Sequence, residues 1–189
     1  MKVGVVRFPG SCDEVDALLA AERVGDAGLL WHGDRDLQDV DAVVIPGGFS
    51  YGDYLRAGAI ARFSPVMESV DVGLRFVCRQ VECEVVNAAT PFTRACAEGE
   101  RLSIPVKHTT GRYHPPAGLD PAQVVLRYAP GHNPNGSEQD IAGVVNPAGN
   151  VFGLMPHPEH ASDPLSGSTD GLKVFASMRE HVETAALVA

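Results

Sequence analysis

The chain has 189 residues, 44% of them hydrophobic and 21% charged, which suits one medium-sized globular domain with a sizeable core. Its 15 basic and 24 acidic side chains give a formal charge of -9, the wrong sign for a nucleic-acid partner, and no apolar run is long enough to cross a bilayer. The four cysteines, Cys12, Cys78, Cys83 and Cys96, lack the Cys-x-x-Cys spacing of a zinc site, and the start of the chain has no signal-peptide layout, so reduced thiols in the cytoplasm are expected.

Residues 2–8 form a short apolar run ending at Pro9-Gly10, which predicts a buried strand and its stop. A helix follows Ser11 or Cys12-Asp13, with Val15, Leu18 and Leu19 at helix-face spacing and Asp13 and Glu14 in the first turn. Residues 28–32 read as a second strand. Residues 41–45 read as a third, entirely apolar after the Asp, stopping at Pro46-Gly47-Gly48. Strand, helix, strand and apolar strand predict an α/β parallel sheet.

Residues 47–58 form a Gly- and aromatic-rich loop, a short helix is expected at 57–63, and Ser64-Pro65 starts another that runs through Met67. The pattern then breaks at 68–73 and passes into residues 74–86, which largely alternate apolar and polar as a half-exposed antiparallel strand does. Further strands are expected at 102–107, 123–128, 141–145 and 151–155, with turns at 133–136 and 147–150. The last helix runs from Thr169 or Asp170 to about Glu183, with Leu172, Phe175, Ala176 and Val182 on one side.

Met155-Pro156-His157-Pro158-Glu159 is the segment richest in chemistry. Pro158 pushes His157 toward an extended backbone, and residues two apart in such a segment point the same way. Glu159 can then hold one imidazole nitrogen while the other works as a base. A loop histidine bonded to backbone is the plainer alternative. His157 and His160 could form a metal pair, but no third ligand stands at motif spacing. The glycines of Pro46-Gly47-Gly48 can turn backbone N–H groups toward an oxyanion, or simply make a tight turn. Lys107, His108 and the tyrosines read as structural or substrate-facing. No cysteine lies in a Gly-x-Cys-x-Gly elbow, so the pair has no evident nucleophile.

Several strings resemble one family: Gly4-Val5-Val6-Arg7-Phe8-Pro9-Gly10, the run from Pro46-Gly47-Gly48-Phe49-Ser50-Tyr51-Gly52-Asp53 to Ala59, Asn133-Pro134-Asn135-Gly136-Ser137, Ile141-Ala142-Gly143, and Gly153-Leu154-Met155-Pro156-His157-Pro158-Glu159. They resemble the glutaminase subunit of phosphoribosylformylglycinamidine synthase, from the first strand to the last helix. The resemblance implies a single glutamine amidotransferase domain over residues 1–189, with a flavodoxin-like, mostly parallel sheet flanked by helices and an added antiparallel portion. It implies a Cys-His-Glu glutaminase that feeds ammonia to purine biosynthesis, with His157 as general base and acid, Glu159 as its orienter, and oxyanion and substrate contacts at Gly47 and Gly48. Expected partners are glutamine, a synthetase subunit and a small bridging subunit. No cofactor or metal is expected here, ATP and Mg being used by the synthetase.

The chain departs from the family pattern at 68–73. The family places there a further strand, the Gly-x-Cys-x-Gly elbow and a helix, a unit of roughly 30 residues. The nucleophile is lost with it, and the strands beside the absent one are left with unpaired edges or must pair with each other. A glutaminase-deficient subunit is therefore expected. The alternatives are a non-catalytic scaffold docking on the synthetase, and a different hydrolase using His157 with a serine such as Ser50.

Overall fold

The computed structural model describes residues 1–48, 76–108 and 111–187. The expected loop from Phe49 to Gly58, the helices at 57–63 and from Ser64, the break at 68–73 and Ser50 lie outside these residues. Among the described residues no helix is long and apolar enough to cross a membrane.

The first half is a parallel sheet. β1 (Lys2–Arg7) lies between β2 (Asp26–Trp31) and β3 (Ala42–Val44), and α1 (Glu14–Glu22) covers it. Glu14 and Asp16 in the first turn of α1 complement the positive end of the helix dipole. Of the expected inward face only Leu18 is kept, partly buried against the core. Ala17, Ala20 and Ala21 are buried against Val3, Val5 and Phe175, whereas Val15 and Leu19 are each 51% exposed. Small side chains let the helix axis lie close to the sheet, which turns the larger residues outward.

β3 also departs from expectation. It reads as a buried strand, yet Val43 is 42% and Ile45 72% exposed. Among the described residues β3 pairs only with β1. Beside it lies a cavity of about 380 Å³ that also reaches Phe92, Phe152 and Phe175.

The second half is an antiparallel sheet in the order β5-β4-β6-β7-β8: β4 (Val77–Val85), β5 (Arg101–His108), β6 (Val124–Tyr128), β7 (Ile141–Val145) and β8 (Phe152–Leu154). The alternation read in the sequence appears directly as burial. Val81, Cys83 and Val85 point inward from β4, and Leu102, Ile104 and Val106 do so from β5. The turns hold as expected, with Gly136 and Gly149 at positive φ.

α2 (Leu172–Ala186) closes the chain. It buries Val174, Phe175, Ser177 and Met178 in place of the expected Leu172, Ala176 and Val182; only Phe175 is common to both. A polar anchor turns that face inward. The Ser177 hydroxyl accepts from the Ala95 amide at 3.0 Å and donates to the Lys173 carbonyl at 2.6 Å.

Candidate active site

The segment carrying His157 is fastened before it reaches the site. Pro156 bridges Val106 of β5, and the His157 amide donates to the Pro105 carbonyl at 2.8 Å. His157 is extended, with φ -101 and ψ 93, as the following proline requires. A 3-10 turn at Pro158–Ala161 then brings Glu159 back under the ring. His157 Nδ1 stands 2.6 Å from Glu159 Oε1, and Glu159 is only 9% exposed. The pairing read from the two-residue spacing is present.

Two further residues join from distant parts of the chain. Asp13 occupies the N-cap position of α1, but its side chain makes no capping hydrogen bond. Its Oδ1 takes the Lys107 ammonium at 2.5 Å and lies 2.9 Å from His160 Nε2, while its Oδ2 lies 3.7 Å from His157 Nδ1. Lys107 Nζ is also 2.7 Å from His160 Nε2. Asp13, 4% exposed, therefore ties the parallel sheet to the histidine turn.

The electrostatics follow from this packing. Burial disfavours the charged His157 ring, but the Glu159 hydrogen bond and the negative charges of Glu159 and Asp13 outweigh burial and the Lys107 charge, and raise its pKa above the ordinary value. Burial likewise works against an ionised Asp13. Hydrogen bonds from Lys107 and His160, with the positive charges nearby, reverse that and lower its pKa.

Gly47 and Gly48 line the same corner. The Gly47 carbonyl accepts from the amides of Cys12 at 3.1 Å and Asp13 at 3.3 Å, so this loop is fixed against the start of α1. A Cβ at Gly48 would meet the Gly10 carbonyl oxygen at 2.7 Å. Both glycines have a packing reason that stands apart from any oxyanion role.

The thiols lie elsewhere in kind. Cys83 is fully buried in β4 and pushed up to about 12 by desolvation. Cys96, half-buried, is pushed up to about 11 by desolvation and then by the Glu100 charge. Cys78 is exposed on β4, and Cys12 is exposed in the turn before α1, with Sγ 3.7 Å from the Gly10 carbonyl oxygen.

The pairing of Asp13 with Lys107, a lysine read as structural or substrate-facing, is what sequence reasoning missed in this corner. Asp13 carries the ordinary signature of a helix first turn, and Lys107 sits in an alternating strand. Nothing local marks a pair whose members are 94 residues apart.

The chain matches the family model for a CobB/CobQ-like glutamine amidotransferase domain over residues 64–182. It is 49% identical to phosphoribosylformylglycinamidine synthase subunit PurQ of Rubrobacter xylanophilus, a match covering 94% of this chain and 97% of the relative. The chain belongs to this PurQ family of amidotransferase subunits. The PurQ subunit of Frankia casuarinae is 45% identical, over 94% of this chain and 92% of that protein. Among solved structures, PurLQS from Thermotoga maritima superposes with a TM-score of 0.80 at 37% identity, covering 96% of this chain and 98% of that one. The family's α/β fold, with a parallel sheet joined to an antiparallel one, is the fold seen here. The alignment with the Rubrobacter relative runs over 216 residues, more than the 189 of this chain, so that relative carries residues with no counterpart here.

Proposed function

We propose that this chain is the amidotransferase subunit of a phosphoribosylformylglycinamidine synthase, a cytoplasmic heteromeric complex of purine biosynthesis. Its likeness to PurQ subunits over nearly its whole length supports the assignment. The observation that carries the site is the buried His157–Glu159 contact at 2.6 Å. In the glutaminase chemistry of this family a cysteine thiolate attacks the side-chain amide carbon of glutamine. The histidine returns the proton to the departing ammonia, and water then cleaves the thioester to glutamate. His157 takes the base and acid role, Glu159 orients it, and backbone near Gly47 and Gly48 faces the oxyanion. ATP and Mg act in the synthetase partner, with a small bridging subunit completing the complex.

None of the four cysteines lies in the Gly-x-Cys-x-Gly elbow that would serve this pair. Two of the four thiols are held protonated by burial, and the other two sit on an exposed strand face and an exposed turn. The domain, single over 1–189 and interrupted at 68–73, is therefore glutaminase-deficient as it stands. The placement of the thiols favours a second reading, in which the chain is a docking scaffold and the synthetase uses free ammonia.

The test is an assay of the chain with its synthetase partner. Amidine formation from ammonium but not from glutamine, with the chain retained on the partner in a pull-down, is the expected result. Glutamate release above background, or covalent capture of Cys12 or Cys78 by an electrophilic glutamine analogue, overturns the deficient reading. Loss of the pull-down overturns the scaffold reading.

A further inference from the structure

Two carboxylates, not one, face the His157 ring. Glu159 Oε1 stands 2.6 Å from Nδ1 and accepts its N–H, and Asp13 Oδ2 stands 3.7 Å from the same nitrogen, too far to share the bond. Both carboxylates are buried, so their charges reach the ring with little screening. Two anions beside one imidazole favour its protonated form. A base has to be found without its proton at working pH, and an acid has to be able to give it up. Unopposed, the two carboxylates would leave His157 charged and unable to serve as a base.

Lys107 opposes them. Its ammonium meets Asp13 Oδ1 at 2.5 Å, and His160 Nε2 lies 2.9 Å from that oxygen. Oδ1 is thereby occupied, and Oδ2 is the oxygen left toward His157. Asp16 reaches His160 Nε2 at 4.0 Å, but its side chain is 47% exposed and solvent screens it. Burial and the Lys107 charge pull the His157 pKa down, Glu159 and Asp13 pull it up, and the carboxylates prevail. The strand that places the histidine also places the lysine. The Pro105 carbonyl accepts the His157 amide at 2.8 Å, Val106 bridges Pro156, and Lys107 is the next residue of β5. A clasp between the two sheets does not by itself call for charge. An apolar pair of similar size would hold them as well, because taking two charges out of water costs about what their attraction returns.

We propose that Asp13 and Lys107 are positioning residues for His157: Asp13 fixes the ring beside Gly47 as a second carboxylate, and the Lys107 ammonium offsets that charge so that the ring can both take and return a proton. The pair acts through His157 and touches no reacting atom. The proposal rests on the base role given to His157 above, yet its test needs neither glutamine nor the synthetase, so the two fail separately.

The experiment is an NMR titration of the imidazoles in the full chain, with the His157 signals identified by their loss in His157→Gln. Lys107→Met keeps the length of the side chain and removes its charge. It should raise the His157 midpoint by about half a pH unit or more, and Asp13→Asn should lower it by a similar amount. Lys107→Arg should keep the native midpoint, and the double variant Asp13→Asn with Lys107→Met should fall between the two single ones. A pair that only clasps the sheets gives a different pattern: breaking it from either side loosens the same corner and moves the midpoint the same way. Shifts of one sign in both single variants, no shift in folded Lys107→Met, a double variant outside the interval of the single ones, or a changed midpoint in Lys107→Arg overturns the proposal. Should one single variant fail to fold, the sign of the other decides, with Lys107→Arg as its check.

Discussion

Gly47 lies against the His157 ring with no room for a side chain. A Cβ there would stand 2.9 Å from His157 Cε1 and 2.5 Å from Asp13 Oδ2. Both neighbours are held: His157 by Glu159, and Asp13 by Lys107 and His160. Gly47→Ala is therefore expected to lower stability by about 1–3 kcal/mol, the usual range for overpacking, and to move the His157 ring resonances. Gly28, where a Cβ meets nothing within 4 Å, is the control. Gly28→Ala should be neutral or stabilise by about 0.4–1 kcal/mol through the unfolded chain. Urea unfolding with imidazole NMR of both variants checks the contrast.

The His157 pKa lies above its unfolded value, so the folded state binds the proton more tightly. The sign follows from linkage. The stabilisation is fully present below about pH 6.5, the ordinary histidine value, and is lost as pH rises through the folded pKa. Asp13 acts at the other end. Its folded pKa is lowered, so its contribution is present above the ordinary carboxylate value and is lost as pH falls through the folded one. Unfolding free energy should decline from pH 6 to pH 9 and flatten in His157→Gln. An unchanged slope in that variant refutes the assignment.

The sequence makes the His157–Glu159 contact legible because it is local, although a 3-10 turn at Pro158–Ala161, and not a continuous extended segment, brings the carboxylate to the ring. The antiparallel sheet is legible for a similar reason, since alternation in residues 77–85 and 101–108 maps directly onto burial. The buried faces of α1 and α2 are not. Each is decided by its neighbours: Val3, Val5 and Phe175 fully bury the alanines of α1 and only partly cover Leu18, and the Ala95 amide draws Ser177 inward. The Asp13–Lys107 contact is the extreme case, a tertiary fact with no local trace. β3 misleads for the opposite reason. Its composition is that of a central strand, and its exposure records one-sided pairing among the described residues.

That exposure has a measurable consequence. Ile45, 72% exposed, and Val43, 42% exposed, present apolar side chains beside a strand edge, the arrangement that recruits another chain. Ile45→Lys places a charge there at little cost, within about 0.5 kcal/mol of the parent as surface changes usually are. It should raise the concentration at which the protein self-associates in light-scattering chromatography. A variant that aggregates as readily as the parent argues that this edge is covered.

The four thiols should separate into two classes under a general disulfide reagent. Cys12 and Cys78 are exposed and should react quickly in the folded chain. Cys83 is sealed in β4 with its thiol pushed up to about 12, and Cys96 is pushed up to about 11, so neither offers thiolate near neutral pH. Cys83 should react only at the rate of unfolding, and half-buried Cys96 more slowly than the exposed pair. The distinction bears on function because a general reagent reports access, whereas an electrophilic glutamine analogue also needs a glutamine pocket and a base aimed at the sulfur. Fast labelling of Cys12 and Cys78 by the first reagent, with neither labelled by the second, is the expected pattern. It would show that accessible thiols are present and that His157 activates none of them. Selective capture of one by the analogue, abolished in His157→Gln, would instead identify that cysteine as the partner of His157 and restore glutaminase chemistry to the chain.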